Sequence, residues 1–135
     1  MGNIKKMKTL VNFLFESQYN FKIDKSEKAK ITDYKNQLSE NAYRLFYTAE
    51  RHDTLWDTTV YPLIKQMVKR VNKGEVMDIN YLATSSTMSK ICTECNKSVK
   101  KYFDLTRPIS KSDKNEFKYF YAQYLIEYVL PKHYN

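Results

Sequence analysis

Cys92 and Cys95, spaced C-x-x-C, are the residues of this sequence that most directly offer chemistry. Two thiols at that spacing can cycle as a redox disulfide or supply half of a zinc site. A redox pair normally sits at a helix N-terminus, where the dipole lowers the thiol pKa, whereas these two fall well inside a helical pattern. Zinc asks for about four ligands, and His52 and His133 are the only imidazoles available to complete the set. The reading is therefore two buried thiols on a core face. His52 beside Asp53 has the composition of a general base with its orienting carboxylate, but no nucleophile stands near it in sequence, so a solvated loop histidine is expected. With two glycines in the chain there is no phosphate-cradling loop and no dinucleotide fingerprint, and neither H-E-x-x-H nor G-x-S-x-G occurs. Asp53, Asp57 and Asp78 fit capping and surface roles. No catalytic residue, metal or cofactor is expected, and the chain reads as a non-enzyme.

What remains is charge. Lys and Arg number 23 against 15 Asp and Glu, a formal net charge of +8, which implies affinity for an anionic partner: nucleic acid, an acidic protein or a lipid surface. A Lys-, Asn- and Tyr-heavy composition also follows from AT-rich coding DNA, so positions must carry the argument. In the stretch Leu55 to Gly74, LWDTTVYPLIKQMVKRVNKG, the residues Trp56, Val60, Leu63, Ile64, Met67, Val68 and Val71 recur at helical spacing. Lys65, Lys69 and Lys73 form an i, i+4, i+8 row on the other side, with Arg70 alongside. Lys97, Lys100 and Lys101 extend that row if the two helices pack antiparallel, although they also meet the dipole at a helix C-terminus, a structural reason of their own. Such a strip would follow a phosphate backbone, with Tyr61 or Tyr81 to stack on bases. No short Gly-containing turn joins two short helices in the manner of a helix-turn-helix, so the binding expected is backbone-dominated and poorly sequence-specific.

The elements that position these groups are helices. A chain of 135 residues with 42% hydrophobic content fits one domain, and two Gly and three Pro are too few for a fold built on tight β turns. A first helix spans about Asn3 to Ser17, with Ile4, Met7, Leu10, Val11 and Leu14 on one side. The linker QYNFKIDKS follows, with Phe21 and Ile23 against the core, so that residues 1–25 read as a mobile helix plus linker. A second helix, capped by Ser26 or Thr32, runs to about Glu50 along Ile31, Tyr34, Leu38, Ala42, Leu45 and Ala49. A third begins near Asp53, kinks at Pro62 and ends at Gly74 as a left-handed cap. Asp78 caps a fourth that reaches Phe103, with a break or bend near Ser85 to Thr87. Ser110 or Ser112 caps the last, which ends at Pro131 and is apolar over most of its circumference. That last helix is either central in the bundle or buries its second side in a partner or another copy of the chain.

Lys5, Lys6 and Lys8 before LVNFLF imitate a signal peptide, but Asn12 and Glu16 interrupt the apolar run and no small-residue cleavage site follows. Lys6 stands where a myristoylation motif needs Ser or Thr. No stretch approaches the ~18 apolar residues of a membrane span, and a protein of a reducing, intracellular compartment without a membrane partner is expected.

Two segments are similar to known sequences. MKTLVNFLFES, from Met7, resembles N-termini of small tailed-phage proteins, and LWDTTVYPLIKQMVKRVNKG followed by Asp78 resembles a run in uncharacterised helical proteins of bacteriophages and mobile genetic elements. The resemblance covers about a third of the chain and assigns no residue a role. What it implies is a setting: an accessory protein in the cytoplasm of a bacterial host, or in a virion, of a kind that binds nucleic acid, inhibits a host defence protein such as a CRISPR effector, or assembles into particles. The sequence thus predicts an all-α, single-domain bundle of about five helices that engages nucleic acid or an acidic partner surface through Lys65, Lys69, Arg70, Lys73, Lys97, Lys100 and Lys101. The rival is a protein–protein module whose interface is the apolar surface of the last helix.

Overall fold

Ser39, His52, Asp78, Ser85 and Ser110 each set a side-chain acceptor over the first turn of a helix, and these caps fix where the helices begin. The computed structural model describes residues 19–134. The helix expected over residues 3–17, and its mobility, lie outside them. A 3-10 helix, Ile31–Gln37, comes first, followed by α1, Glu40–Arg51. Next is α2, a continuous rod of an α-helical turn Asp53–Leu55, a π turn Trp56–Val60 and an α-helical segment Tyr61–Asn72. Then come α3, Ile79–Ala83, and α4, Ser86–Phe103. The last is α5, Lys111–Tyr124, continued by a π turn Leu125–Val129 and a 3-10 turn Leu130–His133. No strand occurs among the described residues. The architecture is an all-α bundle in which α5 packs on α1, α3 and α4, and α1 also packs on α4.

The second expected helix is not continuous. Leu38 is extended, with φ −117° and ψ 151°, and the chain restarts at Ser39, whose hydroxyl accepts the Ala42 amide at 3.3 Å. The Ser39 amide itself donates to the Glu116 carboxylate on α5 at 3.2 Å. The 3-10 geometry explains why the break is invisible in the spacing: with three residues per turn, Ile31 and Tyr34 align before the register resets. Tyr34 and Leu38 still reach the core. The linker is anchored as well, because Gln37 Nε2 donates to the Lys22 carbonyl at 2.9 Å and Gln37 Oε1 accepts from the Lys22 amide at 2.7 Å. Phe21 is buried against Phe120, while Tyr19 stacks on Tyr119 with ring centroids 4.5 Å apart.

Pro62 is accommodated by widening rather than by a late start. The Tyr61 amide donates to the carbonyl of Trp56, five residues back, and this wider turn relieves the crowding that a proline ring imposes on the preceding turn of a regular helix. At the far end the Glu75 amide donates to the Arg70 carbonyl at 3.0 Å and the Gly74 amide to that of Val71 at 2.9 Å, a Schellman closure with Gly74 at φ +89°. A Cβ at Gly74 would meet nothing within 4 Å, so Gly74→Ala isolates the backbone strain of a left-handed residue. It is expected to lower stability by about 1–2 kcal/mol, read as a lower urea midpoint with an unchanged m-value.

Of the break or bend expected near Ser85, the structure shows the break, between α3 and α4. The Ser85 hydroxyl donates to the Leu82 carbonyl at 2.7 Å and accepts the Met88 amide at 3.2 Å, closing one helix and opening the next. Phe117, Phe120, Tyr121, Ala122, Tyr124 and Leu125 place α5 at the centre of the bundle. No helix among the described residues is long and apolar enough to cross a membrane.

Candidate functional site

The C-x-x-C pair faces inward. Cys92 and Cys95 are free, buried thiols on the core side of α4, and burial pushes both thiol pKa values up, away from the reactive thiolate. Among the described residues no group of three or more His, Cys, Asp or Glu is placed to hold a metal ion. His52 differs from the loop histidine expected: its Nδ1 accepts the Leu55 amide at 3.1 Å and caps α2, which requires the proton on Nε2. With Asp53 it lines a surface cleft of about 410 Å³ together with Tyr47, Arg51, Ser98 and Tyr102, and Cys92 has no part in that cleft.

All seven cations singled out in the sequence are on the surface: Lys65, Lys69, Arg70, Lys73, Lys97, Lys100 and Lys101. Two are ion-paired within the described residues, Arg70 with Glu75 at 3.0 Å and Lys97 with Glu94 at 3.2 Å, both exposed pairs of small energetic weight. Thr54 shares a cleft with Ser98 and Tyr102, Leu63 and Gln66 share one with Thr87 and Lys90, and Met67 and Arg70 share one with Ser85 and Ser86. The helices α2 and α4 therefore run antiparallel, as the extension of the row required. The same antiparallel course puts Lys73 level with the start of α4 and Lys97, Lys100 and Lys101 level with the start of α2. At 1.5 Å per residue the ends lie about 28 Å apart. Lys65 and Lys90 fall between those ends, since Lys90 shares its cleft with Leu63 and Gln66.

Of the tyrosines expected to stack, Tyr61 is covered by the Lys65 ammonium at 4.7 Å and flanked by Trp56 and His133. Tyr81 is 65% exposed, with the Arg70 guanidinium 5.6 Å from its ring centre. On the second side of the last helix Ala122 and Val129 are buried, and Tyr119 and Ile126 pack half-buried against the core.

Two features went unread in the sequence. The first is a buried polar cluster between α1 and α5. Tyr124 Oη donates to Glu50 Oε2 at 3.1 Å, while Glu50 Oε1 and Tyr121 Oη are buried without a hydrogen bond. Burial is the main cause that pushes the Glu50 carboxyl up to about 7, and it drives the Tyr121 and Tyr124 hydroxyls up in turn. The second is the outer face of α1, where Tyr43, Tyr47 and Arg51 follow one another at i, i+4, i+8. The Arg51 guanidinium lies 4.3 Å from the Tyr47 ring centre, and that of Arg44 4.9 Å from the ring centre of Phe103 on α4. A cleft of about 640 Å³ opens there between Lys35, Tyr43, Arg44, Tyr47 and Phe103. The Tyr–Tyr–Arg spacing was present in the sequence, but it became a surface only when α4 supplied the opposite wall. No family model matches the chain, and neither does any curated protein or solved structure.

Proposed function

We propose that the chain is a non-catalytic binding module that engages nucleic acid through its exposed cations. The observation that supports this reading is that the seven basic residues along the α2–α4 pair are all exposed, on a chain with a net charge of +8. Contact is to phosphate, so affinity falls steeply with salt, with a log–log slope of about minus three to minus four for four or five contacts. The setting, a phage or mobile-element accessory protein in the cytoplasm of a bacterial host or in a virion, rests on the sequence resemblance alone.

The test is charge reversal of each group separately, Lys65→Glu with Lys69→Glu and Lys73→Glu, and Lys97→Glu with Lys100→Glu and Lys101→Glu. Each triple is expected to weaken binding of labelled DNA or RNA at low salt by about tenfold or more and to flatten the salt slope by about two. The far-ultraviolet circular dichroism should stay unchanged because all six side chains are solvent-exposed. Wild-type protein that binds no nucleic acid at low salt, yet is retained by an acidic protein surface, would overturn the reading in favour of a protein partner.

A further inference from the structure

Large aromatic side chains at a helix end normally turn inward, and the last turn of α4 does the opposite. Tyr102 is 78% exposed and Phe103 44% exposed, directly after Lys100 and Lys101. They form one wall of a groove whose other wall is Tyr43, Tyr47 and Arg51 of α1, and the two clefts described above, about 640 Å³ and about 410 Å³, join along it through the shared Tyr47 and Phe103. We propose that this groove seats single-stranded nucleic acid, with bases against the aromatic rings and phosphates on Lys35 and Arg51, the cations of its lining that no carboxylate among the described residues engages. The proposal rests on the nucleic-acid reading above and narrows its ligand.

Three observations favour a single strand over a duplex or an acidic protein. A duplex offers a protein phosphates and groove edges while its base faces stay stacked, so it has no use for exposed rings. A single strand presents both phosphates and base faces, and proteins that bind it combine a basic track with aromatic platforms. The rings here are also already polarised for such a ligand. Arg44 is held over Phe103 by hydrogen bonds to Glu40 at 2.7 Å and Asn41 at 3.0 Å, so its position does not depend on the ligand. Tyr43 and Tyr47 stand 6.1 Å apart and tilted by 45°, which leaves both faces of neither ring closed by the other. Glu40 and Asp53 are the carboxylates that line the groove; Glu40 is neutralised by Arg44 at 2.7 Å, and Lys35 and Arg51 outnumber Asp53. Thr48, Ser98 and His52 on the groove floor supply polar groups for base edges.

Fluorescence anisotropy with the full chain tests this, using labelled oligothymidylate of about a dozen nucleotides and a duplex carrying the same number of phosphates. The single strand is expected to bind more tightly. The ratio of single-strand to duplex affinity should fall about tenfold for Tyr102→Ala and for Phe103→Ala, the range seen when a stacking ring is removed. Tyr102→Phe, which keeps the ring, should hold the wild-type ratio. Equal affinity for the two probes, with a ratio unmoved by Tyr102→Ala, overturns the groove while leaving the charge-based reading in place. Polyglutamate that displaces oligothymidylate as well as unlabelled oligothymidylate does would show that charge alone is read and would overturn stacking too. Failure of both probes to bind at low salt overturns the broader reading, and the inference with it.

Discussion

Glu50→Gln raises stability at pH 8 by about 3 kcal/mol and leaves it nearly unchanged at pH 4.5. The native carboxyl is pushed from 4.5 to about 7, chiefly by burial between α1 and α5, and each unit corresponds to about 1.4 kcal/mol. Because the folded-state value is raised, the native state holds its proton more tightly than the unfolded chain does. The contribution of this group is fully present below the unfolded value of 4.5 and is lost as pH rises through 7. At pH 8 folding requires an ionised carboxylate in a poorly solvated place, whereas glutamine stays neutral throughout. Its amide also fits the neighbourhood: the oxygen can accept from Tyr124 and the nitrogen can donate to the unpartnered Tyr121 hydroxyl. Urea unfolding of both proteins at pH 8 and pH 4.5 is the measurement. A difference in midpoint of the same size at both pH values would show that hydrogen bonding, and not ionisation, separates them.

The larger effect is expected at Phe120. Its ring meets Phe21, Tyr34 and Phe46 edge-on at centroid distances of 5.0, 5.2 and 4.9 Å, and it stacks on Tyr124 at 6.4 Å. It therefore joins the anchored linker, the 3-10 helix, α1 and α5 at one point. Phe120→Ala removes a fully buried ring from a cluster of large, stiff neighbours that collapse poorly into the space left, so a loss of about 3–5 kcal/mol is expected. That is a large part of the ~5–15 kcal/mol available to a domain. Phe120→Leu, which refills most of the volume, should cost less than half as much. Differential scanning calorimetry on the pair decides whether this ring is the keystone: similar losses for both variants would mean that aromatic geometry, and not filled volume, is what the site requires.

Local signals in the sequence carried far, and non-local ones did not. Asp78, Ser110 and Gly74 end or begin helices where they were expected to, because a cap depends on residues within one turn. The break at Leu38 was hidden because the acceptor that satisfies the Ser39 amide is Glu116, 77 positions away. Glu50 follows Ala49 on α1 and carries a charge, so pattern alone assigns it to solvent; only the tyrosines of α5 make it a buried group. The exposed cations were legible one by one, since Lys65, Lys69 and Lys73 stand opposite an apolar stripe. Their placement along an antiparallel helix pair was not, because it follows from how α2 and α4 meet. The groove between Tyr47 and Tyr102 likewise required two walls that lie far apart in the chain.

The position of the two cysteines gives the molecule a built-in clock. Cys92 and Cys95 are the chain's entire complement of thiols, and both lie under the contact between α4 and its neighbours. A thiol reagent added under native conditions must wait until α4 lifts away, so the rate at which label is incorporated reports the opening of that helix, separately from global unfolding. The unmodified chain thus reports when its own interior is breached.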